Sequence, residues 1–244
     1  MTVAVLGDIH SNIAALKAVL EKVDAFGITR ILFVGDLVGY NASPAECIYL
    51  YQQRDFVGIS GNHDRYVTGQ EMRDVRETTI EAIEYTRKAV GETGLSFLRS
   101  LQDQRMIDQR YMIVHGTILD RDEYMLSKDV IEKNLQEMHA NYAGIDVCFF
   151  GHSHLPAVIG NSKVDMRFPV TRKVILDPLK QYLINPGSVG QPRDGVPQAS
   201  FAVFDPQDYA VTIVRVPYDT HDSHDRVLRA GLGKALAERL LVGR

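Results

Sequence analysis

Five of the eight histidines of this chain fall in short, glycine-flanked segments that follow apolar runs. In order, the segments read Gly7-Asp8-Ile9-His10, Gly35-Asp36, Gly61-Asn62-His63-Asp64, His115-Gly116 and Gly151-His152-Ser153-His154. They offer carboxylate oxygen, imidazole nitrogen and one amide oxygen, with no thiolate. That mixture suits Mn²⁺, Fe or Zn²⁺ better than Ca²⁺ or an iron–sulfur cluster. Any one segment occurs by chance in many proteins; the five together make the ligand inventory of a two-metal hydrolytic site. Two metals roughly 3.5–4 Å apart can share a carboxylate and a hydroxide, and moving the pKa of a bound water from about 15.7 toward about 7 makes a nucleophile available at neutral pH. At about 1.36 kcal/mol per unit, that shift is worth on the order of 12 kcal/mol.

The elements that must position these residues follow from hydrophobic periodicity. Val3–Leu6 reads as a buried strand. After it Ile13, Leu16, Leu20 and Val23 recur at helical spacing, with Ser11 or Asn12 available as the cap, and residues 31–34 make a second strand. Strand, helix and strand within about thirty residues form a βαβ unit, whose parallel strands end on one edge of a sheet. Asp8 and His10 follow the first strand and Asp36 the second. The pattern continues with a helix over 43–53 begun by Ser43 and Pro44, then a strand over 56–60 running into Asn62 and His63. A mostly helical stretch covers 74–101, beginning at Asp74. A strand over 111–114 leads into His115, a helix covers 128–142, and a strand over 147–150 leads into Gly151. In open α/β sheets ligands gather outside the carboxyl ends of the strands, where this reading puts every candidate. The last third differs, with strand-like runs at 174–176, 181–184, 200–204 and 211–216 separated by turns. They predict a second, largely antiparallel sheet packed on the first. A helix over 234–241 closes the chain.

Taken together, the segments resemble, block for block, the signature of the calcineurin-like metallophosphoesterases, from the first strand to beyond Gly190. The resemblance implies an α/β fold, a four-layer α/β/β/α sandwich of two mixed sheets with the metal site at the strand ends, and a single domain over residues 1–244. It implies a metal-dependent phosphoric ester hydrolase that uses a metal-bridging hydroxide to cleave a small phosphodiester or phosphomonoester. On the family pattern, Asp8, His10 and His154 hold one divalent ion, Asn62, His115 and His152 hold the other, and Asp36 bridges them through its two oxygens. Manganese is the foremost candidate, with iron, zinc or nickel as alternatives. His63 takes the catalytic role, its imidazolium stabilising the transferring phosphoryl group and protonating the leaving oxygen.

One departure from the pattern matters. In the phosphoprotein phosphatases of this superfamily the block around the bridging aspartate continues into an Asp-Arg pair that orients the catalytic histidine and grips phosphate; here the corresponding positions are Gly39-Tyr40. The chain therefore resembles the small bacterial and archaeal branch, as does its segment Asn185-Pro186-Gly187-Ser188-Val189-Gly190-Gln191-Pro192-Arg193-Asp194-Gly195. The glycines and prolines there predict a turn, which either lines the pocket with the amides of Gly187 and Ser188 or is purely structural. Two divalent ions set against Asp8, Asp36 and a hydroxide leave about +1 at the centre, which matches a phosphodiester monoanion. Diesters are therefore expected to be preferred, unless Arg65 or Arg193 reaches the pocket or His63 is protonated.

A chain of 244 residues without repeats suits one domain. Its net charge of −4 gives no broad basic surface, so a small phosphoester is the expected partner, with no duplex nucleic acid and no membrane. The oligomeric state stays open. Cys47 and Cys148, each in an apolar setting, are expected to be reduced and buried. The amino terminus has no basic lead, and Val3–Leu6 is too short for a signal peptide or a membrane span, so a cytoplasmic location is expected. His139, His221 and His224 are expected at the surface. The competing reading is a fold of this kind reused as a protein-binding module with little or no catalysis. The retromer subunit that resembles these enzymes has lost the catalytic histidine, whereas His63 and all seven ligand types are intact here. A nuclease of the superfamily would need a DNA-gripping domain and a basic surface, and the chain shows neither. Relatives with these blocks hydrolyse cyclic nucleotides, dinucleoside polyphosphates and phosphoproteins. Specificity is expected from residues 66–101, 119–126 and 163–180.

Overall fold

Each strand of the inner layers divides its side chains between two apolar environments, and that alternation explains the layering. Strand β1 (Val3–Leu6) turns Val3 and Val5 to one face and Ala4 and Leu6 to the other. Leu6 and Ala4 pack with Leu16, Val19 and Val23 of helix α1 (Ile13–Ala25), whose amino end is capped by the Asn12 side chain accepting from the Ala15 amide. Val3 and Val5 meet residues of a second sheet. Period-two side chains thus serve a helix layer and a sheet–sheet interface at once.

The computed structural model describes residues 1–72, 75–160 and 163–244. After α1 come β2 (Ile31–Phe33), α2 (Pro44–Gln53), β3 (Val57–Gly58), α3 (Asn62–Thr68) and α4 (Glu77–Ser100). Next are β4 (Gln104–Ile107), β5 (Tyr111–Val114), α5 (Lys128–Asn141), β6 (Val147–Phe149), β7 (Ala157–Gly160), β8 (Lys163–Asp165) and β9 (Arg172–Ile175). The chain ends with β10 (Tyr182–Asn185), β11 (Ala199–Asp205), β12 (Ala210–Val216), α6 (Thr220–Arg229) and α7 (Lys234–Val242). Helix α4 is broken at Gly91, where φ is 59°. Asp74, where the expected helical stretch begins, lies outside the described residues.

Two six-stranded sheets result, in the orders β3-β2-β1-β11-β12-β9 and β4-β5-β6-β10-β7-β8. Both are mixed: β1 pairs parallel with β2 and antiparallel with β11, while β10 pairs parallel with β6 and antiparallel with β7. Val5, Leu32, Phe149, Ile184, Phe204 and Ile213 fill the space between the sheets. Met112, Cys148 and Leu183 on the far face of the second sheet pack against Ile131 and Met138 of α5. The order of layers is therefore helix, sheet, sheet, helix, as the resemblance implied.

The membership of the second sheet differs from the expectation. The four late runs do not form a sheet of their own. β9, β11 and β12 extend the first sheet from the edge of β1 that β2 leaves open, and β10 inserts beside β6 in the second. An alternating apolar pattern says that a strand has two buried faces or one, and nothing about which edge it will pair with. The 56–60 strand shortens to Val57–Gly58, because Asn62 already begins a helix. Periodicity also passed over β4, β7, β8 and α6. Cys47 and Cys148 are free thiols buried in different layers. His139 and His221 are exposed, and His224 is partly buried beside Asp225. Among the described residues no helix is long and apolar enough to cross a membrane.

Candidate metal centre

The loops leaving β1 and β2 run side by side beyond the strands. The amides of Asp8, His10 and Ser11 donate to the carbonyls of Gly35, Asp36 and Leu37, each at 3.0 Å. This pairing carries Asp8, His10 and Asp36 to one point. Asp64, in the first turn of α3, then clamps the second loop: its carboxylate accepts from the amides of Asp36 at 3.0 Å, Leu37 at 3.2 Å, Val38 at 3.0 Å and Gly61 at 2.9 Å. The approach is so close that a β-carbon at Gly61 would lie 2.0 Å from Asp36 Oδ1. Only glycine fits there. Asp8, His10, Asp36, His152 and His154 all adopt left-handed backbone conformations, with φ of 51°, 46°, 60°, 65° and 59°. Each such residue costs on the order of 1–3 kcal/mol, and strain of this kind gathers at functional sites. Five of the seven expected ligands share it; Asn62 and His115 do not.

The seven side chains are buried and converge. Asp8, His10, Asp36 and His154 form one group and Asp36, His115 and His152 another, the potential ligand atoms in each lying within 4.8 Å of one another. Asp36 belongs to both. Its Oδ1 accepts from the His63 amide at 2.9 Å, while its Oδ2 lies 3.4 Å from His10 Nε2 and 3.4 Å from His115 Nε2. Oδ2 is thus the Asp36 oxygen that faces both histidines, while Oδ1 also accepts from a backbone amide. Asn62 Oδ1 completes the second group, 3.0 Å from His115 Nε2.

Second nitrogens set the tautomers. His10 Nδ1 faces the Val38 carbonyl at 3.2 Å, His115 Nδ1 that of Val34 at 2.9 Å and His154 Nδ1 that of Gln191 at 2.6 Å. Each Nδ1 must donate, which leaves each Nε2 as a lone pair in the neutral ring. His152 is reversed, its Nε2 donating to the Asp122 carbonyl at 3.1 Å and its Nδ1 left for the centre. As a result His10 Nε2 and His154 Nε2 point lone pairs at each other across 3.1 Å. Two acceptors repel unless a cation lies between them. Atoms each about 2.1 Å from one ion, at angles of about 90–110°, stand about 3.0–3.4 Å apart, and these pairs match. Asp8 Oδ2 is buried with no hydrogen-bond donor. The donor set fits divalent metal.

Protonation at His10, His152 and His154 agrees with that fit. Burial holds the His10 and His154 rings well below the usual imidazole range and brings His152 down to about 3, so all three are neutral and open to a metal. Burial also pushes the Asp8 carboxyl up to about 7, with His115 opposing. At Asp36 burial is overcome by the surrounding imidazoles, chiefly His115, which hold the carboxyl well below its usual range. At His115 burial is in turn overcome by Asp36, and the ring rises to about 9.

Above the seven residues opens a cavity of about 430 Å³. His63 lines it, the ring packed 4.3 Å from that of Tyr40 and 4.7 Å from that of His10, centroid to centroid. Its Nδ1 is buried without a partner, and burial, opposed by Asp36, brings the ring down to about 4. The Gly39-Tyr40 departure now has a physical reading. A β-carbon at Gly39 would lie 2.4 Å from His63 Nδ1, so glycine makes room for the ring and Tyr40 supports its face.

Residues 1–209 match the calcineurin-like phosphoesterase superfamily domain. The chain belongs to this superfamily. It is 38% identical to an uncharacterised protein of Methanocaldococcus jannaschii over 99% of this chain and 98% of the other. Among solved structures it is similar to a metallophosphoesterase from Sphaerobacter thermophilus, with 32% identity, a TM-score of 0.85 and coverage of 100% and 99% of the two chains. A hypothetical protein from Pyrococcus horikoshii shares the fold at 20% identity, with a TM-score of 0.83 over 100% and 98%.

In this member of the superfamily the segment from Asn185 to Arg193 braces the candidate centre. Ser188 Oγ and the Gly190 amide donate to the Asp8 carbonyl at 2.8 and 2.9 Å, and the Gln191 carbonyl orients His154. A β-carbon at Gly190 would lie 1.8 Å from the Ile9 carbonyl oxygen. Backbone proximity therefore requires glycine at position 190, and the Gly187 amide donates to Asn185 Oδ1 at 2.8 Å. Beyond it Arg193 enters the cavity, with Nη2 3.2 Å from Gln191 Oε1. The condition that would cancel a diester preference is thus met by Arg193. Arg65 does not meet it: its guanidinium pairs with Asp122 and donates to the Ser60 carbonyl at 3.2 Å. The 119–126 loop also contributes, since Tyr124 stacks on His152 with centroids 4.0 Å apart and Asp122 orients that ring. Sequence reasoning missed the roles of Asp64, Tyr40 and Tyr124, and also two further cavity arginines, Arg76 and Arg239. The spacing Gly61-x-x-Asp64 was a legible helix-start signal for the first; the others meet only through tertiary packing.

Proposed function

We propose that the protein is a two-metal phosphoesterase that cleaves a small phosphoester. Asp8, His10 and His154 would hold one divalent ion and Asn62, His115 and His152 the other, with Asp36 serving both. The observation that carries this reading is the pair of facing Nε2 lone pairs of His10 and His154, 3.1 Å apart with both Nδ1 atoms committed to carbonyls. Bound ions would lower the pKa of an attacking water and offset the charge of the phosphate oxygens. With oxygen and nitrogen donors and no thiolate, manganese leads and iron, zinc or nickel follow.

The chain's own groups do the rest. Asp64 and the strained loops hold the ligands before any ion arrives, so little reorganisation opposes binding. His63, supported by Tyr40, stands at the cavity wall, where the negative charge of a bound phosphate would raise its lowered pKa and let it protonate a leaving oxygen. Arg193 presents a guanidinium fork suited to two phosphate oxygens. A screen of natural and chromogenic phosphoesters, run on protein loaded in turn with Mn²⁺, Zn²⁺, Fe²⁺ and Mg²⁺, tests the reading. Metal-dependent release of phosphate or alcohol is expected. Protein that binds two ions and hydrolyses nothing would overturn it in favour of a binding module.

A further inference from the structure

The cavity above the centre is asymmetric in charge. Besides Arg193 it is lined by Arg76, at the start of α4, and Arg239, on α7. Among the described residues none of the three forms an ion pair, although the chain as a whole carries −4. Of the carboxylates lining the cavity, Asp36 faces the metal centre and Asp122 is already paired with Arg65 and lies 3.8 Å from Arg121. Arg239 is partly buried, and burial together with the neighbouring charges of Arg193 and Arg76 depresses its pKa. Clustered guanidinium groups repel, and an anion between them would relieve that repulsion.

Position divides the three. Arg193 lies against Tyr40, which packs on His10 and His63, and so belongs to the metal end. Arg76 and Arg239 come from elements that supply none of the seven candidate ligands, and Arg239 lies beyond residue 209, where the match to the superfamily domain ends. A cavity of about 430 Å³ has room for more than one phosphoryl group, since pockets of roughly 300–1,000 Å³ accommodate whole small-molecule ligands.

We propose that Arg76 and Arg239 form an outer anion subsite that takes a second phosphate of the substrate, so that the preferred substrates are phosphoesters carrying at least two phosphate groups. The inference rests on the phosphoesterase reading and names its substrate class. Guanidinium forks match phosphate oxygens bidentately, and with two of them the subsite discriminates by charge as well as by shape.

Calorimetric binding to the manganese-loaded full chain tests it, with adenosine 5′-diphosphate, adenosine 3′,5′-bisphosphate and adenosine 5′-monophosphate as probes. At least one two-phosphate probe should bind about tenfold or more tightly than the monophosphate. In the Arg76→Ala/Arg239→Ala protein that ratio should collapse to about twofold or less, and Arg76→Lys/Arg239→Lys should restore part of it. Equal affinities in the unsubstituted protein, or a ratio that survives the double alanine change, would overturn the subsite. Thermal melting of each variant separates misfolding from loss of binding, and the lysine protein keeps the comparison valid if the alanine protein unfolds. Hydrolysis of nitrophenyl phosphate by the unsubstituted protein is scored separately. No hydrolysis with an intact affinity ratio would sink the catalytic reading alone.

Discussion

Arg193 lies over Tyr40, its guanidinium carbon 5.8 Å from the ring centroid and its Nη2 3.5 Å from the phenol oxygen. A cation thus stands beside Tyr40, brought there by a distant segment. With two divalent ions and a hydroxide bound, counting Arg193 would raise the charge at the centre from about +1 to about +2, which would match a phosphomonoester dianion. Arg193→Ala should therefore lower kcat/KM for a monoester by on the order of 10²–10³, and by about tenfold less for a diester with the same leaving group. Equal losses on the two substrates would show that Arg193 does not meet the extra charge.

Asp36→Asn should remove both ions, for a reason specific to its setting. The His63 amide donates to Oδ1, so the amide oxygen of asparagine must take that position. Its NH₂ group then points where Oδ2 was, toward His10 and His115. A donor facing the ion positions excludes cations in addition to losing the charge. Metal analysis of the purified variant should find neither ion held at concentrations that saturate the unsubstituted protein, whereas Asn62→Ala should keep the ion on the Asp8 side. Full metal content in Asp36→Asn would remove the Asp36 bridge from the account.

His63→Ala should retain both metals and lose on the order of 10²–10⁴ in kcat. The loss should shrink when the leaving group is nitrophenolate, which needs little protonation. A variant that lost metal instead would make His63 a ligand.

Metal binding should release protons in a pH-dependent number. Asp8, raised by burial to about 7, and His115, raised by Asp36 to about 9, both carry a proton at pH 6 in the metal-free protein. Both must lose it to bind an ion. About two protons should leave at pH 6 and about one at pH 8, so affinity rises steeply with pH below 7 and more slowly from 7 to 9. Calorimetry in buffers of differing ionisation enthalpy reads this number. A bound water contributes at most about one proton, increasingly at higher pH. A count near zero at pH 6 would contradict the assignment of Asp8 and His115 as ligands.

Much of the centre was legible because its residues end apolar runs. Leu6 and Phe33 are core strand residues with Asp8 and Asp36 directly beyond them, and parallel pairing sends both loops the same way. Less legible was anything that depends on partner choice. The run at Tyr182–Asn185 looks like its neighbours in sequence, yet it pairs parallel with β6 while β11 and β12 join the other sheet. Arg193 and Arg239 lie in different segments, and no local pattern predicts that they share a cavity. The Gly190 requirement is likewise visible only once the Ile9 carbonyl is in place.

In the proposed mechanism two ions would act together across Asp36. The most direct test titrates metal-free protein with Mn²⁺ while bound metal and phosphoester hydrolysis are followed in the same samples. Hydrolysis should stay near background through the first equivalent and rise with the second, reaching its plateau at two ions per chain. Full activity at one equivalent, or two ions bound with no hydrolysis of any phosphoester tried, would contradict the account.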